Sequence, residues 1–255
     1  MHGDQNSLDR LGEISLAETE EPTTATSIVT YSVLGGLCPL IPVPFMDDVI
    51  LGFIKKRQVA TLCKSYGISP TDEAIKALTK EPSGCVSGCL FTAITYPVRK
   101  ILKKVLFFLS IKSCVDVTST MLHRGYLLNH CLQAGHITDA NVQDKAAMVR
   151  VQGAIIAACK DVDPRPVNQA LKRIYGASKA LLRGGARSMW ALFRKARKEN
   201  PDREASMGEA LDKTRQQEQG PLASLFTQVR EEVWSQEGYV KNLVARFEEE
   251  ISREG

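Results

Sequence analysis

Three side chains that bind metals or transfer protons recur at steps of seven residues: Asp116, His123 and His130. Because a helix turns once every 3.6 residues, this spacing keeps them near one stripe of a helix. Seven residues of helix rise about 10 Å, so no two of them share a turn as the paired histidines of a zincin helix do. A metal-dependent enzyme built on them would need ligands from other helices. A polar role between helices or toward solvent is the simpler interpretation.

Cysteine and aspartate pairs give weaker chemical signals. Cys85 and Cys89 are four residues apart, but no partners at zinc-site spacing accompany them, which favours buried thiols. Asp47 and Asp48 resemble the start of a DDxxD metal box, yet Leu51 occupies its final position, and helix capping explains both carboxylates. The Walker A, nucleophile-elbow and HExxH motifs are absent. The sequence therefore favours a non-enzymatic protein and predicts neither a metal nor another cofactor.

A helical pattern from residue 167 onward gathers its cations on one side. If the helix is continuous, they fall in a stripe about 80° wide, and apolar residues such as Leu182 and Phe193 lie away from it. Trp190 falls at the edge of the stripe, a placement that suits a lipid headgroup interface. The stripe consists of Lys172, Lys179, Arg183, Arg187, Arg194 and Arg197. This pattern favours binding to a membrane surface over binding to nucleic acid, while a merely solvated face is the plain alternative.

A second amphipathic pattern follows Pro97. Apolar residues from Val98 to Leu109 recur at helical spacing, and cations occupy the opposite face. Phe107 and Phe108 widen the apolar surface, which predicts that this end is deeply buried or inserted into a bilayer. The cations are Arg99, Lys100, Lys103 and Lys104.

Helical patterns with short breaks account for nearly the whole chain, and we predict an all-α multi-helix bundle. The 19 uncharged residues 28–46 are long enough to span a bilayer, but glycines and prolines interrupt them, so a buried helix ending near Leu40 is favoured over a transmembrane helix. Further helices are predicted at 47–66, 69–80, 98–111, 114–134, 141–161, 167–199 and 221–253, with a flexible joint at Gly184 and Gly185. The organisation follows as a disordered acidic tail (1–26), a helical core (27–163), a basic amphipathic segment (164–200), a polar linker (201–220) and C-terminal helices (221–255).

Composition and charge support this organisation. With 44% hydrophobic and 24% charged residues, the chain lies in the ordinary globular range. Residues 1–26 carry one base and six acids, residues 165–203 carry eleven bases and two acids, and residues 204–255 carry six bases and eleven acids. Seven scattered cysteines and the lack of a secretory signal favour reduced thiols and a cytoplasmic location, at the inner face of the membrane if the protein is peripheral.

The octapeptide Ile41–Asp48, with the sequence IPVPFMDD, and the tetrapeptide Gly125–Leu128 carry a family resemblance. Together they resemble a group of uncharacterised bacterial helical proteins that are loosely similar to the EcsC family. The resemblance covers roughly residues 28–135. It implies an all-α bacterial protein associated with membranes, and it implies no catalytic residues.

These observations lead to one expectation with two alternatives. We expect a non-enzymatic helical protein that associates peripherally with an anionic membrane. The alternatives are a soluble scaffold whose basic surface meets a protein partner or the chain's own acidic tail, and a metal-dependent enzyme using Asp116, His123 and His130. Nucleic acid is a disfavoured partner, and the sequence leaves the oligomeric state open.

Overall fold

The computed structural model describes residues 21–41, 43, 46–81, 103–199, 202, 206–208, 210, 211, 213, 222–234 and 237–253, without the side chains of 21–23, 103–109, 234 and 237. Within these ranges the chain forms helices and no strand, which confirms the all-α prediction. Nine are α-helices of eight residues or more: α1 (Glu21–Leu37), α2 (Met46–Ser65), α3 (Asp72–Thr79), α4 (Lys103–Gln133), α5 (Lys145–Asp161), α6 (Arg165–Ala177), α7 (Lys179–Glu199), α8 (Ala223–Trp234) and α9 (Glu237–Arg253). Residues 1–20 of the predicted tail lie outside the description, and residues 21–26 are the first turns of α1.

Helix α1 is the centre of the molecule. Its residues from Ile28 to Leu37 are buried on every side, as expected for a helix without a polar face. It packs mainly against α4 and α2, and also against α7 and α8. A 3-10 turn, Cys38–Leu40, follows it, so the helical stretch ends near Leu40 as predicted. The first part of the uncharged run, from Ile28 to Leu37, is thus a core helix. Among the described residues we find no helix both long and apolar enough to cross a membrane.

Helices α1 and α4 approach closely because glycine faces the contact. A Cβ atom on Gly36 would lie 1.9 Å from Oγ1 of Thr118, and one on Gly35 would lie 2.2 Å from the sulfur of Met121. The Thr118 hydroxyl is also 2.7 Å from the hydroxyl of Tyr175 on α6, so this contact ties three helices together. Such close contact has no room for a side chain at residue 36.

Helix α4 is longer than predicted. It runs unbroken from Lys103 to Gln133, so the expected break between residues 111 and 114 was wrong. Ile111 and Cys114 are both buried, and they continue the apolar face across the expected gap. The membrane-binding candidates Lys103, Lys104, Phe107 and Phe108 belong to its first turns, and their side chains lie outside the described part.

The C-terminal third joins the same core. Val167 of α6, Phe193 of α7 and Phe247 of α9 belong to one hydrophobic cluster with Leu34 of α1. The described residues of the predicted linker include a helical stretch at 206–208, and Met207, Ala210 and Leu211 are buried in the cluster. These residues are therefore part of the core rather than of an open linker. Gly184 and Gly185 lie within α7, so the joint expected there is absent and the helix break falls at Ser178.

Candidate functional site

The cationic residues of the sequence pattern lie on α6 and α7, two helices joined at Ser178. The Ser178 N–H donates to the Ile174 carbonyl at 3.0 Å, and the Leu182 N–H donates to the Ser178 carbonyl at 3.0 Å. Hydrogen bonding therefore bridges the junction although Ser178 itself departs from helical geometry, with φ −104° and ψ 25°. Lys172 belongs to α6, and the other cations of the stripe share α7.

We refer to Lys179, Arg183, Arg187, Arg194 and Arg197 as the α7 cationic face. All five side chains are exposed. Between residues 165 and 199 the chain carries ten bases and a single acid, Glu199, so the surface of α6 and α7 is strongly positive. The ion pairs seen on these two helices link Arg165 to Asp163, Arg173 to Glu232 and Lys195 to Glu199.

Lys172 differs from the other stripe residues because its charge acts on Asp116 of α4. Partial desolvation raises the pKa of the Asp116 carboxyl although much of the residue is exposed, and the charges of Lys112 and Lys172 oppose that rise. Lys172 thus interacts electrostatically with a carboxyl group of the protein itself. The α7 cationic face is the stronger candidate for an external anion.

The apolar side of α7 is occupied by the protein core. Leu182, Met189 and Phe193 are buried, and a Cβ atom on Gly185 would lie 2.7 Å from Leu222 and 3.2 Å from Leu37. Trp190 is half-buried and packs against the same core. In the folded protein the cations of α7 are therefore exposed to solvent, while these apolar residues are packed against the core.

The trio Asp116, His123 and His130 does not form a shared site. Asp116 is exposed, whereas His123 is buried with its Nε2 atom 2.8 Å from the hydroxyl of Tyr239. Burial lowers the pKa of His123 to about 4, so Tyr239 is hydrogen-bonded to a neutral imidazole. His130 points instead to Glu248 of α9. The three residues have different partners, which leaves the metal-dependent enzyme without support from the geometry.

Sequence reasoning missed the cluster to which His130 belongs. Nε2 of His130 is 2.6 Å from Oε1 of Glu248, and Nε2 of His136 is 3.1 Å from the same oxygen. Among the described residues this is the one group of three metal-binding side chains close enough to share an ion. The signal available in the sequence was His136 just after the end of α4, but its partner Glu248 lies in a helix more than one hundred residues away.

Three cavities between the described helices are small. Their volumes are about 30, 160 and 20 Å³. The smallest is lined by His123, Tyr239 and apolar neighbours, and the largest lies between α1 and α8. Pockets that enclose small organic ligands usually measure 300 Å³ or more, so none of these three has the size of a substrate pocket.

The cysteines described are Cys38, Cys63, Cys114, Cys131 and Cys159, and all five are free thiols. Burial raises the pKa of Cys63 to about 11 and that of Cys114 to about 12. A thiol with a raised pKa is a poor nucleophile at neutral pH, so these residues act as core side chains. Cys85 and Cys89 lie outside the described residues.

Comparisons with protein-family models, with curated proteins and with solved structures found no match to this chain. The function must therefore be argued from the chain itself.

Proposed function

We propose that this protein binds peripherally to anionic membranes and that the α7 cationic face makes the contact. The observation that carries the proposal is the exposure of Lys179, Arg183, Arg187, Arg194 and Arg197 on one helix, in a stretch where ten bases meet a single acid. A basic helix beside an anionic bilayer gains about 1 kcal/mol for each lysine or arginine near the surface. The expectation of membrane association drawn from the EcsC-like resemblance agrees with this proposal.

The binding is electrostatic rather than insertive at this face. The apolar side of α7 is buried, and Trp190 packs against the core, so the bound helix lies on the headgroups without entering the acyl chains. Among the described residues, Val149 is the exposed large hydrophobic side chain, with 47% of its surface accessible, and it lies on α5 rather than on α7. Binding to vesicles should therefore depend strongly on the salt concentration and on the fraction of anionic lipid.

The proposal is tested by exchanging four cations for glutamine and comparing vesicle binding. The test variant carries Lys179→Gln, Arg183→Gln, Arg187→Gln and Arg194→Gln. Losing four contacts at about 1 kcal/mol each should lower the partition coefficient onto anionic vesicles by about 1,000-fold at low salt. Co-sedimentation with phosphatidylglycerol vesicles measures this change.

A second variant controls for net charge. Lys64, Lys76, Arg150 and Lys160 are exposed on α2, α3 and α5, and changing these four to glutamine alters the net charge by the same amount. The control should lose far less affinity than the test variant, because its residues belong to other helices and not to the α7 cationic face. Equal loss in both variants would show that net charge alone attracts the protein, and absence of wild-type binding would favour the soluble scaffold instead.

A further inference from the structure

The cluster of His130, His136 and Glu248 lies where α4, the loop after it and α9 meet. His130 is in the last turn of α4, and Gly135, with φ 80°, ends that helix by turning the chain back. The loop is held by its own hydrogen bonds, because the Asn141 side chain donates to the His136 carbonyl at 3.0 Å and accepts from the Thr138 N–H at 2.8 Å. The backbone of His136 is therefore fixed before any ligand arrives.

Phe247 orients both imidazole rings. Its ring meets His130 edge to face with the centroids 5.9 Å apart, and it meets His136 in the same manner at 5.5 Å. Phe247 is fully buried, so it forms a rigid base beneath the two rings. Both Nε2 atoms then point to one carboxylate oxygen of Glu248, the residue that follows Phe247 in α9.

We propose that His130, His136 and Glu248 bind a first-row divalent transition-metal ion, with zinc the best match. Two imidazole nitrogens and a carboxylate are the three protein ligands of one class of zinc site, in which water fills the fourth position. The ligand atoms lie within 4.8 Å of one another. The side chains are 11%, 27% and 40% exposed, which gives the ion a path from solvent and leaves room for a water ligand.

Binding requires only local adjustment. Ligand atoms around a tetrahedral zinc ion are separated by about 3.3 Å, since each bond is about 2.0 Å long. The Glu248 oxygen must therefore withdraw from His130 by less than about 1 Å, and ligand atoms as far as 4.8 Å apart must approach each other by up to about 1.5 Å. The partly exposed side chains of His136 and Glu248 make these movements. An imidazole that carries its proton on Nε2 frees that nitrogen for the ion by shifting to the Nδ1 tautomer.

Without an ion, the carboxylate of Glu248 is hydrogen-bonded to both imidazoles, so the same three residues link α9 to the end of α4 and the loop after it.

The test is titration of the purified full-length protein with Co²⁺, followed by competition with Zn²⁺. We expect one Co²⁺ per chain with the visible absorption of a tetrahedral nitrogen and oxygen site, displaced by Zn²⁺. His136→Gln and Glu248→Gln should each weaken binding by at least about 100-fold. Glu249→Gln is the matched control, because Glu249 is the next residue on α9 and pairs with Arg246. It should leave the affinity unchanged.

Three outcomes overturn the proposal. The wild-type protein binds no Co²⁺ or Zn²⁺ at micromolar concentrations, or the two ligand variants bind as tightly as the control, or a sulfur-to-cobalt charge-transfer band shows that thiolates hold the ion. Glu248→Gln keeps the size and the hydrogen-bonding oxygen of the side chain, so it should fold. Circular dichroism of each variant checks this, and the wild-type titration stands by itself if a variant fails.

Discussion

Replacing Gly36 with alanine tests the close contact between α1 and α4. The new Cβ atom would lie 1.9 Å from Oγ1 of Thr118 and 3.1 Å from the carbonyl oxygen of Cys114. Thr118 is fully buried, and its hydroxyl is bonded to Tyr175, so it cannot turn away without breaking that hydrogen bond. Overpacking costs about 1–3 kcal/mol and the lost hydrogen bond about 1 kcal/mol, while alanine recovers about 1 kcal/mol of helix propensity. We expect the free energy of unfolding to fall by about 2 kcal/mol.

Urea denaturation followed by circular dichroism measures this loss, and two further variants make it specific. Gly52 lies in α2 with open space where its Cβ would be, so Gly52→Ala should be neutral or stabilise by up to about 1 kcal/mol. Thr118→Ala removes the clashing oxygen, so combining it with Gly36→Ala should cost about 1 kcal/mol less than the sum of the single changes. Strictly additive losses, or a neutral Gly36→Ala variant, would refute the close-contact argument.

Two further predictions concern buried and paired charges. His123, whose pKa burial lowers from 6.5 to about 4, stays neutral in the folded protein while the unfolded chain takes up a proton. Stability should therefore fall by about 3 kcal/mol as the pH drops from 6.5 to 4, and His123→Gln should remove this part of the pH dependence in urea titrations. For Glu81, burial raises the carboxyl pKa, but hydrogen bonds from Arg124 and Lys55 outweigh burial and bring it to about 2. The stability that the ionised Glu81 contributes is present above the unfolded pKa of 4.5 and is lost as the pH falls toward 2. Because the side chain is partly exposed, Glu81→Gln should lower the free energy of unfolding by only about 1 kcal/mol at pH 7. Thermal melts should show almost no effect of the substitution at pH 2.

The sequence predicted the helices better than their contacts. The end of α1 was readable from Pro39, and the end of α2 from Gly67, whose φ of 72° closes that helix. The sequence did not show that α4 is continuous, because the polar pair Lys112 and Ser113 suggested a break. Only the packing around Ile111 shows that the helix continues. Tertiary packing decided that point.

Glycine roles show why local signals are insufficient. The pair Gly184 and Gly185 suggested a joint in the sequence, but Gly185 is a packing position against Leu222 and Leu37. The true interruption is at Ser178, which carries no strong breaking signal. Flexibility and close packing call for the same residue type, and only the neighbours distinguish them.

The candidate sites were predicted unequally. Exposure of the cations on α7 follows from helical periodicity, so the stripe was readable from spacing alone. The partner of His130 was not, since Glu248 comes from a distant helix and the spacing from Asp116 to His123 to His130 pointed along α4 instead. The periodicity of a sequence identifies one face of a helix. A cluster of side chains from three separate segments can be found only when the three-dimensional structure is known.

The partition coefficient of the wild-type protein onto vesicles of increasing phosphatidylglycerol content, measured at low salt and at about 0.5 M salt, tests the central claim most directly. At the higher salt the Debye length falls to about 4 Å, so contacts made by exposed cations are largely screened. Electrostatic binding through the α7 cationic face predicts that the coefficient rises steeply with the anionic fraction at low salt and collapses at high salt. Absence of binding at low salt, or binding that ignores both lipid charge and salt, would contradict the account.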